Sequence, residues 1–400
     1  MNDAPMPWVE VHASWRRVAL VIAGAALAAC GYAILTDLSV FLRSYLLAWL
    51  FVLSISLGSM AVLMMYHLTG GAWAMPVRRY FEAAVAQMPL LALLFIPIAL
   101  GLSHTFGWVL PADAAGQAVA SAKRWYLNEP FFLARAGIYL LAWIALAVLL
   151  EGAARRHRRL PGLSAAGLLI YGVTVTFAAV DWIGSLVPGW SSTALGMIVM
   201  TGQGLGAFAF AVSCAAGMHL ALRRLRTPVT SHAPHGPAAL TAERGNDLGN
   251  LLLAFVMTWM YLVFVQFLII WGEDLPRETS WYLMRNQGLW RVLTLALVLG
   301  QFALPFGLLL FRAVKRNPLA LWMVALLALA AHWLDLAWLV LPSATPAAGA
   351  LHWSDFAASL GIGSVWMYAL WRHLARRPSF MHAGFDASPG IESTEAKRHG

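Results

Sequence analysis

Ten mostly apolar runs divide the chain, at residues 18–36, 45–68, 88–106, 131–152, 163–187, 192–222, 249–272, 289–311, 318–341 and 354–374. Each is close to or above the roughly 20 residues an α-helix needs to cross a ~30 Å hydrocarbon layer. β-Strands are shorter than these runs, and in lipid the helix is the open-ended structure that satisfies its own backbone polar groups. Composition points the same way. Of 400 residues, 60% are hydrophobic and 11% charged, where a soluble domain is about half apolar and about a quarter charged. The sequence predicts an all-α integral membrane protein of about ten transmembrane helices, with the lipid bilayer as its solvent.

Basic residues orient these helices. One set of loops and ends carries 20 of the 27 Lys and Arg residues, among them Arg78, Arg79, Arg155, Arg156, Arg223, Arg224, Arg312 and Arg316. The other set carries 6, and Arg135 lies within a run. The positive-inside rule makes the first side cytoplasmic and puts both termini there. A net charge of +9 spread in this way is a topology signal, so nucleic acid is not an expected partner. The expected organisation is a cytoplasmic N-terminus (1–17), helices 1 to 6 (18–222), a cytoplasmic linker (223–248), helices 7 to 10 (249–374) and a disordered cytoplasmic tail (375–400). Residues 73–87 read as an interfacial helix, with Arg78, Arg79 and Glu82 set against Val77, Phe81 and Val85.

Two cysteines, Cys30 and Cys214, lie inside apolar runs, which leaves no disulfide framework and no Cys-x-x-Cys centre. Leu27-Ala28-Ala29-Cys30 matches a lipoprotein cleavage site, but apolar sequence continues through Leu35, and an uncut first helix is the better reading. No run carries two histidines half a membrane apart, as bound haem requires in cytochrome b, and no metal site is expected.

Polar side chains inside spans are costly and mark function or pairing. Followed in its assigned direction, each span places His104, Arg135, Asp181, Gln203, Gln266, His332 and Asp335 in the half of the membrane away from the cytoplasm. One reading is a polar cavity that binds a quinone headgroup or passes protons through histidine and carboxylate. The other is bracing: an Arg135–Asp181 ion pair, a His332 hydrogen bond to backbone and an interfacial His104. The stretch from Phe264 to Arg291 leads out of that half. Gln266 lies within the run, Glu273, Asp274 and Arg277 form the turn, and Trp271, Trp281, Tyr282 and Trp290 suit a headgroup level. Glu273, Asp274 and Arg277 are the candidates for facing a partner on that side.

Four stretches carry a family likeness. They are HLTGGAWAMPVRRYFEAA (67–84), LNEPFFLARAGIY (127–139), DWIGSLVPGWSSTALG (181–196) and FVQFLIIWGEDLPRETSWYLMRNQ (264–287). Together they resemble the polysulfide reductase membrane-subunit (NrfD-like) family, most closely the smaller such subunit of bacterial alternative complex III, a quinol:cytochrome c oxidoreductase. That resemblance implies two four-helix bundles plus two peripheral helices in a bacterial inner membrane. It also implies quinone or quinol as the small molecule. The implied partners are an iron-sulfur subunit, haem-c subunits, a sister NrfD-like membrane subunit and a terminal oxidase. Arg135 and Asp181 match positions at the family's polar core. In that family the larger sister carries the working quinol site, which leaves this chain open to a structural, a proton-conducting or a quinone-binding role. A stand-alone transporter is the alternative, and the chain shows no repeat and no matched pair of broken helices to support it.

Overall fold

The computed structural model describes residues 7–109, 125–155, 160–187, 189–224, 240–344 and 351–376. Most of the segment between the third and fourth apolar runs, of the linker and of the tail lies outside these residues. The helices are α1 (Pro7–Thr36), α2 (Leu38–Thr69), α3 (Arg78–Val85), α4 (Met88–Leu94), α5 (Ile96–Leu100), α6 (Leu102–Thr105), α7 (Glu129–Arg155) and α8 (Pro161–Trp182). After them come α9 (Leu195–Arg224), α10 (Ala242–Glu273), α11 (Pro276–Arg285), α12 (Gly288–Leu297), α13 (Leu304–Leu310), α14 (Arg312–Arg316), α15 (Pro318–Ala344) and α16 (Trp353–Ala375). A π-helical turn, Val298–Ala303, joins α12 to α13.

Among the described residues, eight helical segments are long and apolar enough to cross a membrane, or nine if the bent pair Arg78–Val85 and Met88–Leu100 counts as one span. Ten were expected. The tenth run does form a helix, α16, but Ser354, Asp355, Arg372 and His373 make it too polar to qualify. The third run is broken. Pro97 has no N–H to donate, while Phe95 and Ile98 bond to Ala92 and Phe95 instead of continuing the α-helical ladder. The carbonyls so released, at Leu91 and Leu94, accept from Trp49 Nε1 and the Tyr45 hydroxyl, each at 2.9 Å. Helix α3 occupies the expected interfacial segment, yet Val77, Tyr80, Phe81 and Ala84 are buried in the protein. Its apolar face is already used on α2. Helix α1 runs uninterrupted through Cys30.

The core forms around α2, whose most apolar stretch is 94% buried, against 22% for α10 and for the α12–α13 segment. Asp37 starts α2 by accepting the Ser39 and Val40 N–H groups at 2.9 and 3.0 Å. Small residues let its neighbours approach: a Cβ on Gly58 would lie 1.9 Å from the Gln203 carbonyl oxygen of α9. Helices α8, α15 and α16 also pack on α2. The outer helices α10 and α12–α13 leave broad apolar faces such as Phe264, Phe267, Val292 and Leu299 uncovered.

Helix α10 stops at a residue in left-handed geometry. Asp274 has φ 47° and ψ 37°, and its N–H bonds to the Ile270 carbonyl. Leu275 is extended and Pro276 opens α11, where a missing N–H does no harm. Glycine adopts the left-handed region freely, whereas a β-branched residue there is strained by about 1–2 kcal/mol. Asp274→Gly is expected to hold or raise the thermal midpoint of the purified protein in detergent, and Asp274→Val to lower it, as followed by near-ultraviolet circular dichroism.

Candidate functional site

Helix α11 lies over one end of the bundle and is fixed there by aromatic and charged contacts. Trp281 stacks on Trp190, with ring centroids 4.6 Å apart and planes 10° from parallel. On Trp281 also sits the Arg285 guanidinium, 3.4 Å from the ring centroid. Gln266 links three segments: its Oε1 accepts from Ser192 at 2.7 Å, and its Nε2 donates to the Tyr282 hydroxyl at 3.0 Å. Arg277 reaches back to the Gly189 carbonyl at 2.5 Å, while Glu273 and Asp274 are exposed beside it.

Beneath this roof is a cavity of about 620 Å³ whose walls come from α9, α10, α11, α12, the π-turn and α15. That is the size of a cofactor or drug-sized ligand. Its lining is mostly apolar and aromatic, including Trp259, Phe264, Phe267 and Trp338, with Gln266, Tyr282, Arg285 and Asp335 as its principal polar groups. The Tyr282 hydroxyl accepts from Gln266 and gives its own hydrogen to none of the described residues.

Arg285 is 1% exposed. Its Nε donates to the Trp338 carbonyl at 2.9 Å, Nη1 to the Trp281 carbonyl at 2.9 Å, and Nη2 to the Leu339 carbonyl at 2.9 Å and to Ser343 Oγ at 2.7 Å. The Trp338 carbonyl is available because Pro342, four residues on within α15, has no N–H to offer it. Burial pushes the Arg285 pKa well below the ordinary guanidinium value.

Asp335 is shared by two cavities. It lines the large one and also a chamber of about 20 Å³, enough for one water molecule, with Ser54, Gln203 and His332. Two glycines four apart on α9 make room for it. A Cβ on Gly206 would lie 2.3 Å from His332 Cδ2, and one on Gly202 would lie 3.6 Å from Asp335 Oδ2. His332 Nε2 is 2.8 Å from Ser54 Oγ, and Gln203 Oε1 accepts from Tyr171 at 2.7 Å. Gln301, turned inward by the π-turn, reaches Asp335 at 3.5 Å. The wider turn suits its sequence, since Pro305 cannot bond to the Gln301 carbonyl. His332 Nδ1 and Gln301 Oε1 have no partner among the described residues.

The remaining expected residues lie elsewhere. Arg135 and Asp181 form a two-pronged pair, Nε to Oδ2 at 2.9 Å and Nη2 to Oδ1 at 2.8 Å. Tyr139 also donates to Asp181 at 2.9 Å, and Arg135 Nη1 donates to the Tyr126 carbonyl. Burial, with the Asp181 charge adding to it, pushes the nearby Tyr126 hydroxyl up to about 12. This cluster lines neither cavity. His104 is exposed at the end of α6, against Ser103. Thus Gln266 and Asp335 share the large cavity, Gln203, His332 and Asp335 share the chamber, and Arg135 with Asp181 forms a separate brace. Arg285 and Gln301 are not among the candidates the sequence offers, and Tyr282 reads there as a headgroup-level aromatic, not as a cavity hydroxyl. The spacing of Trp281 and Arg285, one helical turn apart, is the signal that could have found Arg285.

Among the described residues, no group of three or more His, Cys, Asp or Glu is placed to hold a metal ion. The chain matches no protein-family model, and no curated protein matches it in sequence.

Removing one partner of a buried pair strands the other charge, at a cost of roughly 3–5 kcal/mol. Arg135→Gln and Asp181→Asn are each expected to lower the midpoint of thermal unfolding strongly, and the double variant to lose less than the sum. Gly206→Ala should also destabilise, by about 1–3 kcal/mol, because the His332 ring must shift. His332→Ala should restore part of that loss in a double-variant comparison.

Proposed function

We propose that this chain is a membrane subunit of a quinol-oxidising respiratory complex of the NrfD-like kind, and that the cavity under α11 is its quinone site. The observation that carries the reading is the cavity itself. A volume of about 620 Å³, with aromatic walls and a few convergent polar groups, suits a flat aromatic headgroup. The Tyr282 hydroxyl is a donor for a quinone oxygen, and Asp335 is an acceptor for a quinol proton. The sparsely buried α10 and α12–α13 flank the cavity, which puts it on the lipid-facing side of the bundle, where an isoprenoid tail would run.

In this reading both termini are cytoplasmic and α11 faces the periplasm of a bacterial inner membrane. The helices would group as two four-helix bundles with two peripheral helices. Oxidation of one quinol releases two protons and two electrons. The electrons leave to an iron-sulfur partner beside the exposed Glu273 and Asp274, then through haem-c subunits to cytochrome c or a terminal oxidase. A sister NrfD-like subunit completes the membrane part. Asp335 takes one proton, with the water-sized chamber of His332 and Gln203 directly behind it, and the other leaves to water at the cavity mouth beside the exposed Asp274. Asp181 is a brace in this scheme: both of its oxygens are held by Arg135, and a carboxylate so stabilised is a poor proton carrier.

The test uses the full chain purified with whatever subunits accompany it. A 2-methyl-3-alkyl-1,4-naphthoquinone should bind and quench tryptophan fluorescence, and Val263→Trp, which fills the cavity wall, should abolish the quenching while the protein stays folded. Asp335→Asn should keep quinone binding but slow quinol oxidation by membranes about 10²-fold, the scale of lost general-base catalysis. Unaltered quenching in Val263→Trp would remove the cavity as the quinone site.

A further inference from the structure

Arg285 brings to the cavity a charge that no carboxylate of its wall contacts directly. Four of its five N–H groups are used, every acceptor is neutral, and one N–H on Nη1 is left over. No carboxylate among the described residues pairs with it, whereas Arg135 has Asp181. The terminal carbonyls of α11 and α15 supply only partial negative charge. The cavity's own carboxyls stand apart: Asp274 is exposed at its mouth, and Asp335, one turn along α15 from Trp338, bonds to Gln301. The cation is fixed in place by stacking on Trp281 and by the carbonyl that Pro342 releases, so it cannot swing to water.

A charge kept out of water without an opposite charge is costly, and it favours any anion that enters the same low-dielectric space. Resting on the reading of this cavity as a quinone site, we propose that it prefers a headgroup bearing an oxyanion, such as an ionised quinol or hydroxyquinone, held against the free N–H of Arg285. A neutral quinone of the same shape gains only the aromatic walls and the Tyr282 donor. Arg285 would then have two roles, closing the proline break in α15 and reading the charge of the ligand.

The experiment compares two probes of nearly equal size on the full purified protein: a 2-hydroxy-3-alkyl-1,4-naphthoquinone, ionised at neutral pH, and its 2-methoxy ether. Hydrogen bonds to a charged group predict that the hydroxy compound binds about tenfold or more tightly. Arg285→Lys should keep much of that preference and Arg285→Gln should lose it. Equal binding of the two probes by the wild-type protein overturns the proposal and leaves the quinone reading standing, a result that needs no folded variant. A preference that persists in Arg285→Gln overturns the assignment to Arg285. If neither probe binds, the quinone reading and this inference fall together.

Discussion

Helices α2 and α9 approach closely at Gly58, where no side chain would fit against the Gln203 carbonyl. Lipid offers helices little hydrophobic reason to associate with one another, so packing this tight is what membrane helices depend on. The contact also sets the register of the polar interior. Ser54 lies one turn before Gly58 and meets His332, while Gly202 and Gly206 flank Gln203 and receive His332 and Asp335 from α15. Packing and polar placement are therefore one arrangement: a shift of α9 against α2 would close the space that holds the histidine and the carboxylate.

Two buried arginines at the α11 end show how differently a charge can be accommodated. Arg135 meets Asp181 through two parallel hydrogen bonds, the geometry that a guanidinium and a carboxylate share, and Tyr139 supports the carboxylate. That pair is complete and has no surplus to offer a ligand. Arg285 is held only by carbonyls, a hydroxyl and two indole rings. Its position is as rigid, but its charge is unspent. The same residue type thus braces in one place and polarises a cavity in the other, and the difference is whether a carboxylate lies within reach.

The apolar runs made most of the helices legible, since a run of about 20 residues has few other uses. The breaks were harder to see. Pro97 and Pro305 stand inside apolar runs, and whether a proline bends a helix or is absorbed by a π-turn depends on which neighbours take the freed carbonyls. Here Trp49 and Tyr45 take those freed at the break around Pro97. In the site, assigning depth by span found Gln203, Gln266, His332 and Asp335, which border the two cavities. It set Asp181 beside them because depth says nothing about position around the bundle. Arg285 was counted among loop charges, since it falls between two apolar runs; only the fold of α11 back over the bundle buries it.

That fold-back begins at Asp274. A helix that continued past Glu273 would carry Trp281 and Arg285 away from the bundle. The left-handed turn and Pro276 redirect the chain instead, so that α11 crosses over Gln266 and its last residue reaches α15. Arg285 can then fill the carbonyl that Pro342 exposes only because the turn and the proline break occur at the same end of the bundle. The cavity exists in the space between these two irregularities, walled by outer helices that are themselves little buried. Regular, fully packed helices would have left no such space, so the backbone interruptions are what turn a helical bundle into a binding site.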